Sequence, residues 1–242
     1  MSQPRPTAVL LDAGFTLTFP DAEVIARHAK AAGVTVEATA LARAENDARR
    51  ELARFAWAFT REQQATRSKT AGAEFFQRML ELAGATAGTA SLAQAGEYVW
   101  AQHVRENIWC RVGAGVAEAL ARLQAAGIRM AVVSNSEGTV EAMLNSVGLG
   151  RHLETVVDSW VVGVAKPDPR IFEIALDRLG VPAASAVMLG DTPAVDIEGA
   201  RAAGVTPILV DPLELYPDLD VRRVPDVATY VNQLLGPPEK SP

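Results

Sequence analysis

Five short apolar runs, each followed by an aspartate or a serine, set the strongest limit on how this chain folds. They are Ala8-Val9-Leu10-Leu11 before Asp12, Ile128-Arg129-Met130-Ala131-Val132-Val133 before Ser134, Thr155-Val156-Val157 before Asp158, Ala186-Val187-Met188-Leu189 before Gly190-Asp191, and Pro207-Ile208-Leu209-Val210 before Asp211. A continuous apolar run needs cover on both faces, as a central strand of a parallel sheet has. After Trp109 the runs alternate with helical stretches at about 114–126, 138–147, 169–180 and 194–203. That alternation predicts an α/β fold, a Rossmann-like doubly wound parallel sheet.

Between the first two runs the chain changes character. Of its 43 alanines, 23 fall within residues 19–108. Alanine has the best helix propensity, and strand signal is nearly absent there. Four helical stretches are predicted, about 21–32, 36–64, 71–83 and 89–106, broken at Gly33, at Arg67-Ser68-Lys69-Thr70 and at Gly84 to Gly88. Phe55, Phe59, Phe75, Phe76, Met79, Leu80, Tyr98 and Trp100 supply apolar material for an antiparallel bundle. The expected organisation is therefore a core of residues 1–18 and 109–242 with an α-helical insert over 19–108. The tail from Gly236 to Pro242 reads as frayed.

Lys and Arg number 23 against 29 Asp and Glu, a net charge of −6. An acidic chain with no basic run is a poor nonspecific binder of nucleic acid or anionic membrane. The lone cysteine, Cys110, excludes an intrachain disulfide and a Cys-based zinc site, and reads as a small buried apolar side chain. The four-residue run Ala8–Leu11 is too short for a signal-peptide core, and no run reaches the roughly 18–20 residues of a membrane span. A cytoplasmic location is expected. The stretch from Val112 to Glu118 begins like a dinucleotide fingerprint but lacks its third glycine and a preceding strand.

Ligands of an open parallel sheet bind beyond the carboxyl ends of its strands, where Asp12, Ser134, Asp158, Asp191 and Asp211 fall. Asp and Ser are favoured helix N-caps, which accounts for any one of them singly. Their neighbours add more. Asp12 precedes Ala13-Gly14, and a carboxylate beside a glycine that lets backbone approach a ligand suits a nucleophile or metal ligand. Ser134-Asn135-Ser136 offers three small donors in a row, suited to phosphoryl oxygens. Lys166, one of four lysines, sits between Gly163 and the two prolines Pro167 and Pro169, an odd place for a solvated helix charge. Asp191 and Asp196 share one loop, and beside a third carboxylate they repel unless a cation joins them; hard oxygen ligands suit Mg²⁺.

Nucleophile, small donor, lysine and acidic pair, in that order, resemble the four motifs of the haloacid dehalogenase superfamily across nearly the whole chain. Lys166-Pro167-Asp168-Pro169-Arg170-Ile171-Phe172 and the run from Gly190 to Gly204 are similar to the family's usual sequences. The helical insert resembles the cap of its subfamily I. The resemblance implies a phosphatase that acts on a small phosphorylated metabolite through an aspartyl-phosphate on Asp12. It further implies Mg²⁺ held by Asp12, the carbonyl of Gly14, Asp191 and Asp196, with Ser134, the Asn135 backbone and Lys166 on the phosphoryl group. The cap is expected to close over the site and select the substrate. Asp158 and Asp211 match no catalytic position of the family and are expected to be caps or rim groups.

One departure matters. Most phosphatases of this family carry a second Asp two residues after the nucleophile as general acid and base, and here Gly14 stands there. General acid–base catalysis is typically worth ~10²–10⁴ in rate. Two alternatives thereby stay open: a metal-independent 2-haloacid dehalogenase, and a weakly active phospholigand-binding or regulatory protein. Dehalogenases of the family usually lack the acidic pair retained here. His28, His103, Tyr98 and Glu97 of the insert are candidate replacement proton donors.

Overall fold

A computed structural model gives the structure of residues 5–56, 61–87 and 91–238, with the side chains of Leu52 and of residues 54–70 outside the description. Phe59, Gly88, tail residues 239–242 and the side chain of Phe55 thus lie outside the described residues. The chain divides into two compact units, Met1–Phe19 with Cys110–Pro242, and Pro20–Trp109.

In the first unit all five apolar runs are strands: β1 (Ala8–Leu11), β2 (Arg129–Ser134), β3 (Thr155–Asp158), β4 (Ala186–Gly190) and β5 (Thr206–Val210). A sixth, β6 (Arg222–Val224), completes a sheet of order β6-β5-β4-β1-β2-β3 in which every pairing is parallel. The α/β Rossmann-like reading holds. Side chains alternate between two cores, as a pleated strand demands. Val9, Leu11, Met130, Val132 and Leu189 pack with Leu120 and Leu123 of helix Val116–Ala125 and with Tyr230 of helix Val227–Leu235. Ala8, Leu10, Ala131, Val133 and Met188 pack with Ile171, Phe172 and Ala175 of helix Pro169–Leu179. Cys110 packs against the first of these cores but is only partly buried, short of the full burial expected.

The order of the strands creates the site. From β1 the chain proceeds to β2 and β3 on one side, then crosses back to β4, β5 and β6 on the other. Leu11 pairs with Val132 on one side and Leu189 on the other, so the carboxyl ends of β1 and β4 flank the switch point.

β6 and the last helix were not foreseen. β6 has three residues, two of them arginines on an edge, which leaves no apolar run to read. The helix is capped by Asp226, whose carboxylate accepts the Thr229 N–H at 2.6 Å, and buries Val227, Tyr230 and Val231 at helical spacing.

The second unit holds helices Ala22–Ala31, Ala38–Ala56, Arg61–Leu82 and Leu92–Glu106. The break expected at Arg67–Thr70 is absent, since one helix runs through it. Ser, Lys and Thr are tolerated inside helices, and without Gly or Pro nothing stops the turn. The stretch read as one helix over 36–64 is helical over Ala38–Ala56 and again from Arg61, with residues 57–60 outside the described residues. A two-residue antiparallel pair, Val34–Thr35 with Thr86–Ala87, is too short to register as periodicity. Ile25, Leu41, Phe75, Phe76, Met79, Leu80 and Val99 fill this unit's core, whereas Tyr98 is exposed. Among the described residues no helix is long and apolar enough to cross a membrane.

Candidate active site

β1 delivers Asp12 directly after four fully buried residues, and the Asp12 N–H continues the ladder by donating to the Leu189 carbonyl at 2.9 Å. The Asp12 main chain is therefore fixed by the sheet. Lys166 comes from the loop before helix Pro169–Leu179, a helix begun by the Asp168 cap and Pro169. Its Nζ donates to Asp12 Oδ1 and to Asp196 Oδ1, both at 2.6 Å, with all three groups buried. Asp191 follows β4, and its carboxylate offers an oxygen within 4.8 Å of oxygens of Asp12 and Asp196.

Asp196 sits on a single π-helical turn, Pro193–Ile197, a local widening often found at functional positions. Its Oδ2 accepts the Thr192 N–H at 2.9 Å, while its own N–H donates to the Thr192 carbonyl at 2.8 Å. The carboxylate lies over Gly190, where an added Cβ would stand 2.3 Å from Asp196 Cγ. Gly190 is thus a glycine because a carboxylate occupies the space of its side chain.

Two carboxylates share one ammonium here, with a third close by. Burial, first of all, pushes the Asp12 carboxyl up to about 7; Lys166 pulls it down, and Asp196 and Asp191 add to the rise. Burial alone would lower the Lys166 pKa, but the charges and hydrogen bonds of Asp12 and Asp196 outweigh it and hold the ammonium protonated. The cluster carries excess negative charge in a buried place, and its donor set is entirely carboxylate oxygen. That fits a hard divalent cation such as Mg²⁺.

The loop after β2 behaves differently from the expected row of three free donors. Ser134 ends the strand, buried and paired in register with Asp158. The Asn135 side chain is taken up by the main chain of Lys166: Nδ2 donates to the Lys166 carbonyl at 2.9 Å, and Oδ1 accepts the Lys166 N–H at 2.8 Å. The Ser136 hydroxyl donates to Asp158 Oδ2 at 2.5 Å. Gly14 lies in the turn after Asp12, where the Phe15 N–H donates to the Thr18 carbonyl and the Leu17 and Thr18 N–H groups donate to the Ala13 carbonyl. In the same turn the Thr16 hydroxyl is buried without a hydrogen-bond partner.

Asp158 and Asp211 are held by backbone donors, Asp158 accepting from Trp160 and Gly138, and Asp211 from Leu215 and Tyr216. Within the helical unit, His103 Nδ1 accepts the Ile108 N–H at 3.0 Å and the ring packs against Trp100 and Trp109. His28 Nε2 lies 2.5 Å from Glu106 Oε1. The His103 imidazole is thus engaged inside its own unit, where His28 also stands beside Glu106. Sequence reasoning overlooked Thr192, Ser159 and the binding role of the Asn135 amide, whose signals are contacts between segments rather than patterns along them.

The family model described as haloacid dehalogenase-like hydrolase matches residues 6–204. A phosphoserine phosphatase of Thermus thermophilus is 35% identical over 138 residues, 57% of this chain and 53% of that protein. A ribulose-1,5-bisphosphate 5-phosphatase of Halopiger xanaduensis is 32% identical over 141 residues, 58% of each. The chain thus spans little more than half the length of these curated relatives. Among solved structures, the putative HAD-hydrolase YfnB of Bacillus subtilis bound to magnesium superposes with a TM-score of 0.66 over 96% of this chain and all of that one, at 17% identity. At that identity the likeness is one of fold.

Proposed function

The chain belongs to the haloacid dehalogenase-like hydrolases, and from that premise we propose that it is a Mg²⁺-dependent phosphatase acting on a small phosphate ester through Asp12. The observation that carries the reading is the buried contact of Asp12 with Lys166, set beside Asp196 and within reach of Asp191. The named activities of the two curated relatives support the phosphatase class over other hydrolases.

Asp12 attacks phosphorus in line, forming an acyl-phosphate as the alcohol leaves, and water then hydrolyses it. Lys166 holds Asp12 oriented and offsets charge gathered on the phosphoryl oxygens. The Ser134 hydroxyl and the Asn135 backbone N–H bond those oxygens. The Asn135 side chain acts at one remove, by fixing the main chain that carries Lys166. Asp12, the carbonyl of Gly14 and Asp191 would hold Mg²⁺. Both Asp196 oxygens already accept bonds, from Lys166 and Thr192, so its part is to steady the lysine and to join the metal through water. When bound, the ion supplies positive charge opposite the transferred phosphoryl group. Substrate selection falls to the helical unit Pro20–Trp109.

Gly14 carries no side chain to protonate the leaving oxygen. Turnover should therefore favour phosphates with acidic leaving groups such as aryl esters, where a general acid matters least. The same glycine favours a second reading, displacement of halide from a 2-haloacid by Asp12 without metal, against which the retained Asp191 and Asp196 stand. A panel of phosphate esters with and without Mg²⁺, with Asp12→Asn as control, tests the proposal. Phosphate release that needs Mg²⁺ and vanishes in Asp12→Asn is expected. Activity surviving that substitution would remove the nucleophile, and metal-independent halide release would establish the second reading.

A further inference from the structure

Asp158 has no place in the chemistry above, yet it is buried and its carboxylate accepts three hydrogen bonds. Only one, from the Trp160 N–H at 2.9 Å, caps its own short helix Ser159–Val162. The other two reach across to the loop after β2, from the Ser136 hydroxyl at 2.5 Å and the Gly138 N–H at 3.0 Å. Next to it, Ser159 Oγ accepts the Ser136 N–H at 3.1 Å and donates to the Ser136 carbonyl at 3.2 Å. A cap needs only the bond to its own helix. Two bonds to a neighbouring loop, seconded by the adjacent serine, do something else.

The loop 134–138 is consequently held at both ends. On the side of β1, Asn135 is tied to the Lys166 main chain; on the side of β3, Ser136 and Gly138 are tied to Asp158 and Ser159. Directly before and at the first of these ties stand the two groups with a phosphoryl partner in the proposed reaction, the Ser134 hydroxyl and the Asn135 N–H. We propose that Asp158 is a positioning residue for phosphate recognition: it holds Ser136 and Gly138 so that the Ser134–Asn135 donors meet the phosphoryl oxygens. The inference rests on the phosphatase reading and adds to it a residue beyond the four motifs. It also gives the Ser136 hydroxyl a partner, the Asp158 carboxylate, outside the phosphoryl group. Donors placed in advance act without reorganising, and misplacement of about 1 Å costs up to ~10²-fold.

The test compares wild type with Asp158→Ala, Asp158→Asn, Ser136→Ala and the Asp158→Asn/Ser136→Ala double variant. Each is measured with Mg²⁺ for kcat and KM on an aryl phosphate, for inhibition by inorganic phosphate, and for amide hydrogen exchange in the peptide covering 134–138. Asp158→Ala should raise KM and the phosphate inhibition constant together by about tenfold or more and speed exchange in that peptide. Asp158→Asn, which keeps one acceptor oxygen and turns the other into an amide donor, should show a smaller loss in the same direction. The double variant should be no worse than the poorer single variant, because both substitutions break one link. Should Asp158→Ala not fold, the cycle between Asp158→Asn and Ser136→Ala decides: multiplying effects overturn the inference. So do unchanged KM, phosphate inhibition and exchange in a folded Asp158→Ala. A wild-type protein that neither hydrolyses phosphate esters nor binds inorganic phosphate overturns the phosphatase reading itself, and the inference with it.

Discussion

The α/β unit and the helical unit both pair acids with bases, and do so under opposite physical conditions. At the carboxyl edge of the sheet, Lys166 meets Asp12 and Asp196 with almost no access to water. On the helices, Arg78 meets Glu51 and Glu81 at distances of 2.5 and 2.8 Å, nearly the same, but on a surface where each side chain stays about a third exposed or more. Equal geometry does not mean equal consequence. Water screens the helical pairs and leaves them weak, whereas the buried trio has only its own members to offset the cost of desolvation. A charge cluster that stabilises poorly yet is buried at a topological switch point fits the chemistry proposed for it.

The contrast is tested hardest by Lys166→Met, which leaves two carboxylates buried without their counter-charge. Phosphate release should fall at least a thousandfold, and the metal-free protein should lose about 3–5 kcal/mol in urea unfolding. If the loss were as small as for a surface pair, burial would not be what distinguishes the two regions. Gly190→Ala comes next: its methyl collides with the Asp196 carboxylate, and overpacking of this kind typically costs about 1–3 kcal/mol. Activity should drop with it, since moving Asp196 moves Lys166; an unchanged rate would mean that Asp196 is dispensable for holding the lysine.

A smaller effect follows from protonation. Asp12 is raised from 3.8 to about 7 on folding, so the native state binds the proton more tightly than the unfolded chain does. Metal-free stability should therefore fall as pH rises from about 4 to about 7, while the raised Lys166 contributes a constant gain throughout that window. Mg²⁺ should reverse the trend, binding more tightly as pH rises and releasing a proton, which calorimetry in buffers of different ionisation heat would read. The smallest change is expected for Arg78→Ala, with the melting temperature nearly unmoved and phosphate release intact. A large loss of either would erase the comparison.

How much of this was legible beforehand follows the range of the interactions involved. The five central strands announce themselves through local runs of aliphatic residues, and the residue after each run had to fall at the edge where ligands bind. That Asp12 and Asp191 lie at one edge was therefore readable, while Lys166 and Asp196, which the structure brings to them, stood out by type and neighbours. What could not be read is who bonds to whom across the loops. Ser136 looked like a phosphate donor, but its hydroxyl belongs to Asp158, 22 residues further on. Asn135 looked like a ligand, and its amide belongs to a main chain 31 residues away. Polar residues at 67–70 looked like a stop although nothing in their backbone forbids a helix, and β6 is too short and too basic to show an apolar signal.

The connections between sheet and insert run side by side, Thr18–Phe19 pairing antiparallel with Arg111–Val112 and the Arg111 guanidinium resting 5.0 Å above the Phe19 ring. Just beyond them, the Asp21 N–H donates to the Ile108 carbonyl at 3.0 Å. This bears on the order in which the molecule assembles. β1 must find β2 across a long excursion of chain, since Ala8 pairs with Arg129, and closing a loop of that length as random coil is entropically slow. Once the helices have folded, their entry and exit are already neighbours, and the first strand reaches its place as though the intervening segment were a short turn. The insert should thus act as a splint for the sheet during folding, shortening the loop that β1 and β2 must close.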